Sequence, residues 1–271
     1  MGHTESEEPG QTHTSMTIII DGDIPLYSIA FSVEEPIDWG NDFWTLHSDM
    51  GMARDSFVIW MDKVLEDLAS PEAGGCEEHN AVVALSDSSN WRKVLYPEYK
   101  ENRATKRKPV VFKPLRSFIQ KTYDTLVYRN LEADDVLGLV ATPEDIMVSS
   151  DKDLLTVPGN HYNPMKAEEG VVHVTRDEAF RNHMMQTLTG DVTDNYKGCP
   201  GVGPKGAEKI LAGLEVEEMW PAVLEKFEKA GLFKEEALVQ SRIAHILHPS
   251  EYDVDTHEVR LWDPDFVLSG D

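Results

Sequence analysis

The sequence has little cysteine, no long apolar run and few positive charges outside one segment. Its two cysteines, Cys76 and Cys199, lie far apart and match no disulfide or metal-ligand spacing, which favours a reducing, cytoplasmic setting. No apolar run approaches the roughly 20 residues of a membrane span, so we expect no membrane contact. Residues 1–15 lack the basic start and apolar centre of a signal peptide, and we expect a disordered acidic leader there.

The charge of the chain is strongly negative but unevenly distributed. The net charge of −24 over 271 residues argues against a polyanionic partner, because nucleic-acid binding depends on Lys and Arg. Residues 92–121, however, oppose ten basic side chains with only Glu98 and Glu101. The ten are Arg92, Lys93, Lys100, Arg103, Lys106, Arg107, Lys108, Lys113, Arg116 and Lys121. This basic segment in an acidic body predicts a surface for a polyanion, with a solvated basic loop as the alternative.

The order of apolar runs predicts the fold class. Short apolar runs at 16–20, 81–85, 126–128, 145–148 and 171–174 predict strands, and helical periodicity lies between them. This alternation predicts an α/β fold with a mostly parallel central sheet flanked by helices over residues 16–176. Only helices are predicted over residues 177–248, which we assign to a second module, followed by a tail at 249–271 containing one short strand.

Nine acidic residues follow these strands or flank a glycine-rich turn. They are Asp21, Asp87, Glu132, Asp134, Asp135, Asp151, Asp153, Asp191 and Asp194. Since parallel strands end at one edge of a sheet, we expect these carboxylates to converge. Two unit charges ~4 Å apart repel by about 4 kcal/mol at an effective dielectric of 20, so a convergent set needs cations. Oxygen ligands without His or Cys favour Mg²⁺ or Mn²⁺, and two such ions serve phosphodiester displacement.

The segment 132–135, Glu-Ala-Asp-Asp, limits where its helix begins. On a regular helix Glu132 and Asp135 share a face, whereas Asp134 turns away. All three can face one site only if Glu132 lies at or before the first helical residue. The helix dipole also favours a carboxylate at that position.

The segment 190–211, GDVTDNYKGCPGVGPKGAEKIL, joins acids to a predicted hairpin and helix. Gly201 and Gly203 flank a tight turn, and Pro204 suits the first turn of a helix. Glycines let a backbone approach an anion closely, and helix N-termini attract phosphate. The segment therefore predicts metal ligands beside a phosphate-binding turn, although a plain turn between two helices is the alternative.

Taken together, IIIDGD, SDSSNWRKVLYPEYKENR, LEADD, SSDKD and GDVTDNYKGCPGVGPKGA resemble the 5′-nuclease (flap endonuclease) superfamily. The resemblance spans residues 17–265 and is greatest to the short 5′→3′ exonucleases that phages use in DNA replication. It implies a PIN-like α/β fold, a C-terminal helix-hairpin-helix module that holds duplex DNA, and a metal-dependent phosphodiesterase. The implied substrate is the 5′ end of duplex DNA, or of an RNA primer in an RNA–DNA hybrid, with flaps also possible. The implied product carries a 5′ phosphate, and we expect a monomer in the cytoplasm of a phage-infected or bacterial host cell.

The resemblance also implies roles for individual residues. Asp21, Asp87, Glu132, Asp134 and Asp135 would hold one ion, and Asp151, Asp153, Asp191 and Asp194 the second. Lys100 and Arg103 would contact the scissile phosphate, Tyr99 would stack on a terminal base, and Arg92 would support phosphate binding. Lys106, Arg107 and Lys108 would add nucleic-acid contacts. Gly201, Gly203 and Lys205 would hold a phosphate of the intact strand, with K⁺ bound by hairpin carbonyls.

Three features depart from the family pattern or leave alternatives open. The arch expected at about 99–115 is short and contains Pro109 and Pro114, and Asp23 has no assigned role. The order Asp21-Gly22-Asp23 after a strand also fits a haloacid-dehalogenase-type phosphatase, although Pro25 stands where that family has Thr or Val. A non-catalytic module that binds DNA ends is a further alternative.

Overall fold

A six-stranded sheet forms the centre of the computed structural model, which describes residues 16–69 and 80–265. Its strands are β1 (Thr17–Asp21), β4 (Asn80–Ala84), β5 (Thr125–Leu126), β6 (Ile146–Val148), β7 (Gly159–Tyr162) and β8 (Val171–Val174). Two further strands, β2 (Glu34–Asp38) and β3 (Trp44–Ser48), form a separate hairpin. The order across the sheet is β5-β4-β1-β6-β7-β8. All neighbours run parallel except β7 and β8, which confirms the mostly parallel sheet.

Nine α-helices lie within the described ranges. They are α1 (Asp23–Ser32), α2 (Met50–Ala69), α3 (Arg92–Leu95), α4 (Phe112–Thr122), α5 (Ala133–Val140), α6 (Arg176–Thr189), α7 (Pro204–Leu211), α8 (Val216–Lys229) and α9 (Lys234–Ala244). None of them is both long and apolar enough to cross a membrane.

Strand β1 is the centre of the sheet because apolar residues cover both of its faces. Ile18 and Ile20 pack into the core that contains Leu26 of α1 and Phe57 of α2. Ile19 points the other way, into a core with Leu137 of α5 and other residues. This alternation follows from the two-residue period of a strand, and it puts helices on both faces. The edge where β1, β4 and β6 end is left open for polar side chains.

The helices after β8 form their own core. Met184 of α6, Phe227 of α8 and Ala237 of α9 lie in it, together with Trp262 from the tail. The extent of the two modules remains a prediction. The leader expected at residues 1–15 lies outside the described residues, as do Cys76 and residues 266–271.

The structure differs from the sequence-based expectation at three places. The β2–β3 hairpin was not predicted, because its aromatic residues are exposed and follow no burial pattern: Trp39 is 63% exposed and Phe43 61%. Strand β7 is short and polar, so it carried no apolar signal. The strand expected in the tail is wrong, since the described part of the tail has only an isolated bridge between Tyr252 and Val259.

Candidate active site

The carboxylate of Asp21 lies at the end of β1, between the ends of β4 and β6. Asp21 is 7% exposed, and its Oδ2 accepts a hydrogen bond from the hydroxyl of Ser149 at 2.9 Å, just beyond β6. Burial, followed by the charge of Asp23, raises the pKa of Asp21 to about 7, and Asp151 adds to the effect. The edge of the parallel sheet therefore brings acids from distant parts of the chain together.

Glu132 lies at the N-cap of α5, where the sequence required it to be. Its backbone is extended (φ −84°, ψ 164°), and it forms a reciprocal capping box with Asp135. This start lets Glu132 and Asp134 both face the site. Burial, followed by the charges of Asp135 and Glu132, raises the pKa of Asp134 well above its usual range. Burial and the neighbouring acids thus oppose the ionised form of Asp134 more than Arg92 and Lys100 favour it.

Lys100 lies between two groups of acids. The first group comprises the acids assigned to one ion, including Glu132, and the second comprises Asp151, Asp153, Asp191 and Asp194. Its Nζ is 2.5 Å from Glu132 Oε1 and 3.3 Å from Asp194 Oδ2, and its backbone is left-handed (φ 54°). Burial alone would raise the pKa of Glu132, but the charges of Lys100 and Arg92 outweigh it and lower that pKa to about 2. Asp194 also pairs with Arg103, at 2.7 Å. Lys100 and Arg103 are thus both placed beside acids of the site.

The second group of acids surrounds Asp153. Asp151 accepts a hydrogen bond from the backbone N–H of Asp153 at 2.9 Å, and Asp191 accepts one from that of Asp194 at 3.1 Å. Burial, followed by Asp151, Asp191 and Asp194, raises the pKa of Asp153 to about 7. Gln186 of α6 donates to Asp153 at 2.9 Å. Because Asp151 raises the pKa of both Asp153 and Asp21, the two groups lie within electrostatic reach of each other.

A small cavity joins the two groups. It is lined by Asp134 from the first group, by Asp153 and Asp194 from the second, and by Tyr99, among other residues. Acids that are far apart in the sequence thus border one space.

The carboxylate oxygens of the site suit a divalent ion chemically, although they are not arranged around a common point. Among the described residues, no group of three or more His, Cys, Asp or Glu side chains is arranged so that it could hold a metal ion. Lys100, Arg92 and Arg103 contact several of the carboxylates instead. The pKa values of Asp21, Asp134 and Asp153 are nevertheless raised, first by burial and then by neighbouring acids, so a cation bound beside these carboxyls would favour their ionised forms. Carboxylate oxygens are ligands that divalent metal ions take in proteins.

The predicted contacts of Tyr99 and Arg92 with DNA do not fit the structure. Tyr99 is 2% exposed, and its hydroxyl oxygen lies 2.7 Å from Glu132 Oε2 and 2.9 Å from Asp194 Oδ2, so the two carboxylates share its single hydrogen. Arg92 is also 2% exposed and forms two hydrogen bonds to Asp135, at 2.6 and 2.7 Å. Because both side chains are buried against carboxylates, the ring of Tyr99 cannot stack on a base and the guanidinium of Arg92 cannot contact a phosphate. Both residues hold the acids in place.

Asp87 is directed into its own loop. Its Oδ2 accepts hydrogen bonds from the hydroxyl of Ser89 at 2.6 Å and from the backbone N–H of Asn130 at 2.9 Å. Despite partial burial, these hydrogen bonds lower the pKa of Asp87 to about 2. Its place in the first group is therefore not supported by its contacts.

The rest of the basic segment is exposed but partly paired. Arg107 contacts Glu34 of the β2–β3 hairpin at 2.6 Å, and Lys108 lies over the ring of Phe112 at 4.4 Å. The predicted arch consists of a short 3₁₀ turn at Glu101–Arg103 and an irregular stretch before α4. Lys106 is exposed in that stretch. Residues 101–108 are thus an accessible, mainly basic surface beside the acids.

The glycine-rich hairpin lies between α6 and α7. Gly201 has a positive φ of 76°, and neither it nor Gly203 has any atom within 4 Å of the position that a Cβ would take. Pro204 begins α7, and Lys205 is exposed in its first turn. The backbone of this turn is therefore open to a large partner.

Two contributors to the site, Ser149 and Gln186, had a weak sequence signal and none, respectively. Ser149 accepts from the backbone N–H of Asp151 at 3.0 Å while donating to Asp21, so it links both groups. Its position at a strand end, before Asp151, was the available signal. Gln186 had none, because its contact with Asp153 depends on how α6 packs against the sheet.

Known proteins resemble both the sequence and the fold. Residues 17–186 match the family model described as 5′-3′ exonuclease, N-terminal resolvase-like domain. The exodeoxyribonuclease of Enterobacteria phage T3 is 28% identical over 91% of this chain and 92% of its own length. Flap endonuclease Xni of Shewanella oneidensis is 32% identical over 49% of this chain and 57% of its own. The solved structure of T5 5′-exonuclease with zinc has a TM-score of 0.56 at 16% identity, covering 84% of this chain and 88% of that one. The family model covers well over half of the chain, so this protein belongs to the 5′-3′ exonuclease family.

Proposed function

We propose that this 5′ nuclease hydrolyses phosphodiester bonds at the 5′ ends of duplex DNA with two divalent ions. The observation that carries the proposal is the cavity bordered by Asp134, Asp153 and Asp194, which collects acids from both groups. The T3 relative is named for exonuclease action on DNA, and the T5 structure was solved with divalent metal ions. RNA primers paired with DNA, and 5′ flaps, are further proposed substrates. The monomeric state and the cytoplasmic location remain predictions.

Two sets of carboxylates would hold the ions. The first is Asp21, Glu132 and Asp134, because both oxygens of the fully buried Asp135 accept hydrogen bonds from Arg92 and its predicted place in this set is not supported by its contacts. The second is Asp151, Asp153, Asp191 and Asp194. Bound divalent ions supply a nucleophile at neutral pH and counter-charge for the leaving oxygen. The protein holds the acids in place through Arg92 on Asp135 and Ser149 on Asp21. Their oxygen-only chemistry supports Mg²⁺ or Mn²⁺ over zinc.

Lys100 and Arg103 would neutralise the charge that grows on the transferred phosphoryl group. Both lie beside Asp194, and Arg103 is 41% exposed, so it can turn toward an incoming phosphate. Fixed positive charge at that point stabilises the transition state more than the ground state. The product would keep its phosphate on the 5′ side.

The Gly201–Gly203 hairpin and Lys205 would hold the intact strand of the duplex. The open backbone of the turn and the N-terminus of α7 suit a phosphate. K⁺ bound by hairpin carbonyls would add positive charge. Exposed Lys106 and its neighbours in the basic segment would contact the strand that is cut.

Family membership does not favour the two alternatives. In a haloacid-dehalogenase-type phosphatase Asp21 would be a nucleophile, yet it is 7% exposed and bound to Ser149. A non-catalytic module that binds DNA ends would not need the second group of acids.

Duplexes labelled at the 5′ or the 3′ end, incubated with Mg²⁺, with Mn²⁺ and with EDTA, test the function directly. We expect cleavage from the 5′ end that requires a divalent ion. Asp153→Asn should reduce cleavage by at least a thousandfold while DNA affinity measured in EDTA stays or improves, because a repelling charge is removed. Asp177→Asn, in the exposed first turn of α6, is the control. Full cleavage in EDTA, or release from the 3′ end, would contradict the proposal.

A further inference from the structure

The β2–β3 hairpin holds several large apolar side chains in solvent. They are Trp39, which is 63% exposed, Phe43 (61%), Trp44 (56%) and Leu46 (41%). Packing inside the chain therefore does not account for them. A cluster of exposed aromatic residues is typical of a surface that contacts a partner.

The base of this hairpin is fixed to the basic segment. Glu34, the first residue of β2, has a side chain that is only 5% exposed. Its two carboxylate oxygens accept hydrogen bonds from the guanidinium of Arg107, at 2.8 and 2.6 Å. One of them also accepts from the backbone N–H of Val110 at 2.6 Å. The hairpin therefore rises directly beside the basic segment.

The stretch between Lys100 and Arg107 connects the acids of the site to the hairpin. At one end Lys100 pairs with Glu132 at 2.5 Å, and at the other Arg107 holds the hairpin base. Between them, Arg103 is 41% exposed and Lys106 is exposed. A strand of nucleic acid that leaves the site along these positive charges is led to the hairpin.

One face of the hairpin continues this path. Residues directly opposite each other in an antiparallel pair project to the same face, and Ser48 is opposite Glu34. Leu46 and Trp44 follow on that face at two-residue spacing. The face that Glu34 turns toward Arg107 therefore carries both apolar side chains, over about 13 Å. We call these three residues, Glu34, Leu46 and Trp44, the Trp44 face.

The charges of the hairpin determine which part of a nucleic acid would face it. It contains no Lys or Arg but four acids: Glu34, which pairs with Arg107, and Glu35, Asp38 and Asp42. Such a surface repels phosphates, whereas aromatic rings stack on unpaired bases of any sequence. A single strand meets both conditions when its phosphates follow the basic stretch and its bases turn to the hairpin. A duplex does not, because its phosphates lie outside.

We propose that the Trp44 face binds unpaired bases of a single-stranded 5′ flap, with Trp44 as the main stacking residue. Residues 103–108 hold the phosphates of the same strand. This inference rests on the proposed function and specifies one of its substrates, since it makes the flap a part of the DNA that the protein recognises. A duplex without a flap does not reach the hairpin.

Fluorescence anisotropy with nicked duplexes tests the inference, in an Asp153→Asn background that prevents cleavage. The duplexes carry a twelve-nucleotide 5′ flap, an abasic flap of the same length, or no flap. We expect Trp44→Ala to weaken binding of the ordinary flap at least fivefold and of the duplex without a flap less than twofold. The abasic flap should bind the chain with Trp44 no more tightly than the ordinary flap binds Trp44→Ala.

Two variants control for the loss of an exposed ring. Trp44→Phe keeps an aromatic ring and should retain most of the flap affinity. Phe233→Ala removes a ring that is 72% exposed at the start of α9 and should leave flap affinity unchanged. If Trp44→Ala does not fold, Trp44→Ile provides the same comparison, because it suits a strand but has no ring.

The outcomes separate the inference from the function on which it rests. Unchanged flap affinity of Trp44→Ala would overturn the inference, and so would an equal loss with and without a flap. Sedimentation velocity shows whether the Trp44 face joins two chains instead. A dimer that Trp44→Ala dissociates, with flap affinity unchanged, would assign the face to a protein contact and overturn the inference. Failure of the chain with Trp44 to bind any of the three duplexes would instead overturn the proposed function.

Discussion

Arg92 is a charged side chain used as an internal support. It is fully enclosed, pairs with Asp135, donates to the carbonyls of Ile243 and His245, and lies 4.6 Å from the ring of Trp91. These contacts tie α3, the first turn of α5 and the end of α9 together. The site therefore depends on an ion pair that substrate does not reach.

Replacing Arg92 should mainly affect folding. Arg92→Leu leaves the carboxylate of Asp135 buried without a partner, and breaking such a pair costs about 3–5 kcal/mol. Urea unfolding in the absence of DNA measures this loss. Arg103→Leu, which removes a 41% exposed arginine, should cost less than about 1 kcal/mol. If Arg92→Leu kept its stability and lost DNA affinity, Arg92 would have to reach the DNA.

Single residues also show why sequence reasoning succeeded for some acids and not for others. The position of Glu132 at a helix start follows from the spacing of three carboxylates, and the structure has it there. The position of Asp87 after a predicted strand did not show whether its side chain faces the site or the adjoining loop. In the structure Ser86 Oγ accepts a hydrogen bond from the backbone N–H of Ala133 in the first turn of α5, whereas Asp87 contacts Ser89 and Asn130. A shift of one residue at a strand end would exchange these two side chains, and the sequence pattern does not determine that shift.

At the scale of elements, buried runs and periodic helices were predictable, and exposed elements were not. Helix α8, for example, lies within residues 177–248, where only helices were predicted. The β2–β3 hairpin was not predicted, since its aromatic residues are exposed and Glu34 is held by Arg107 from the basic segment. A contact between residues that far apart in the chain has no local signal.

The N-terminus of α7 should contribute electrostatically to duplex binding. Lys205→Ala, in an Asp153→Asn background that prevents cleavage, should weaken binding and reduce the slope of log affinity against log salt by about one. Lys209→Ala removes the same charge from the last turn of the same helix and should change the slope less. Fluorescence anisotropy across a salt series measures both. Equal slopes for Lys205→Ala and the unmodified chain would remove the hairpin from the DNA interface.

For the whole molecule, the distribution of charge explains how a protein with a net negative charge can bind DNA. Much of the basic segment is exposed next to the acids at the sheet edge, while the rest of the surface is predominantly negative. Repulsion from that surface leaves the basic segment and the hairpin as the places where a polyanion can approach. The same negative excess inside the site is what a divalent ion would balance.

This balance makes the stabilising effect of the ion depend on pH. Burial, then neighbouring acids, raises the pKa of Asp21 and of Asp153 to about 7 from the ordinary 3.8. An acid whose pKa is higher in the folded state stabilises the fold when protonated; that contribution is complete below about pH 4 and is lost as the pH rises through about 7. Divalent ions bind the ionised carboxylates and offset the loss.

The rise in unfolding temperature on adding Mg²⁺ or Mn²⁺ should therefore be small at pH 5.5 and large at pH 8.5. Differential scanning calorimetry at constant ionic strength measures it, with NaCl as the control for screening. Asp153→Asn should flatten the pH dependence, because one of the two titrating acids is removed. A rise of equal size at both pH values would mean that the ions bind away from Asp21 and Asp153, since only a site that includes these acids has to release protons near pH 7 before it can hold a cation.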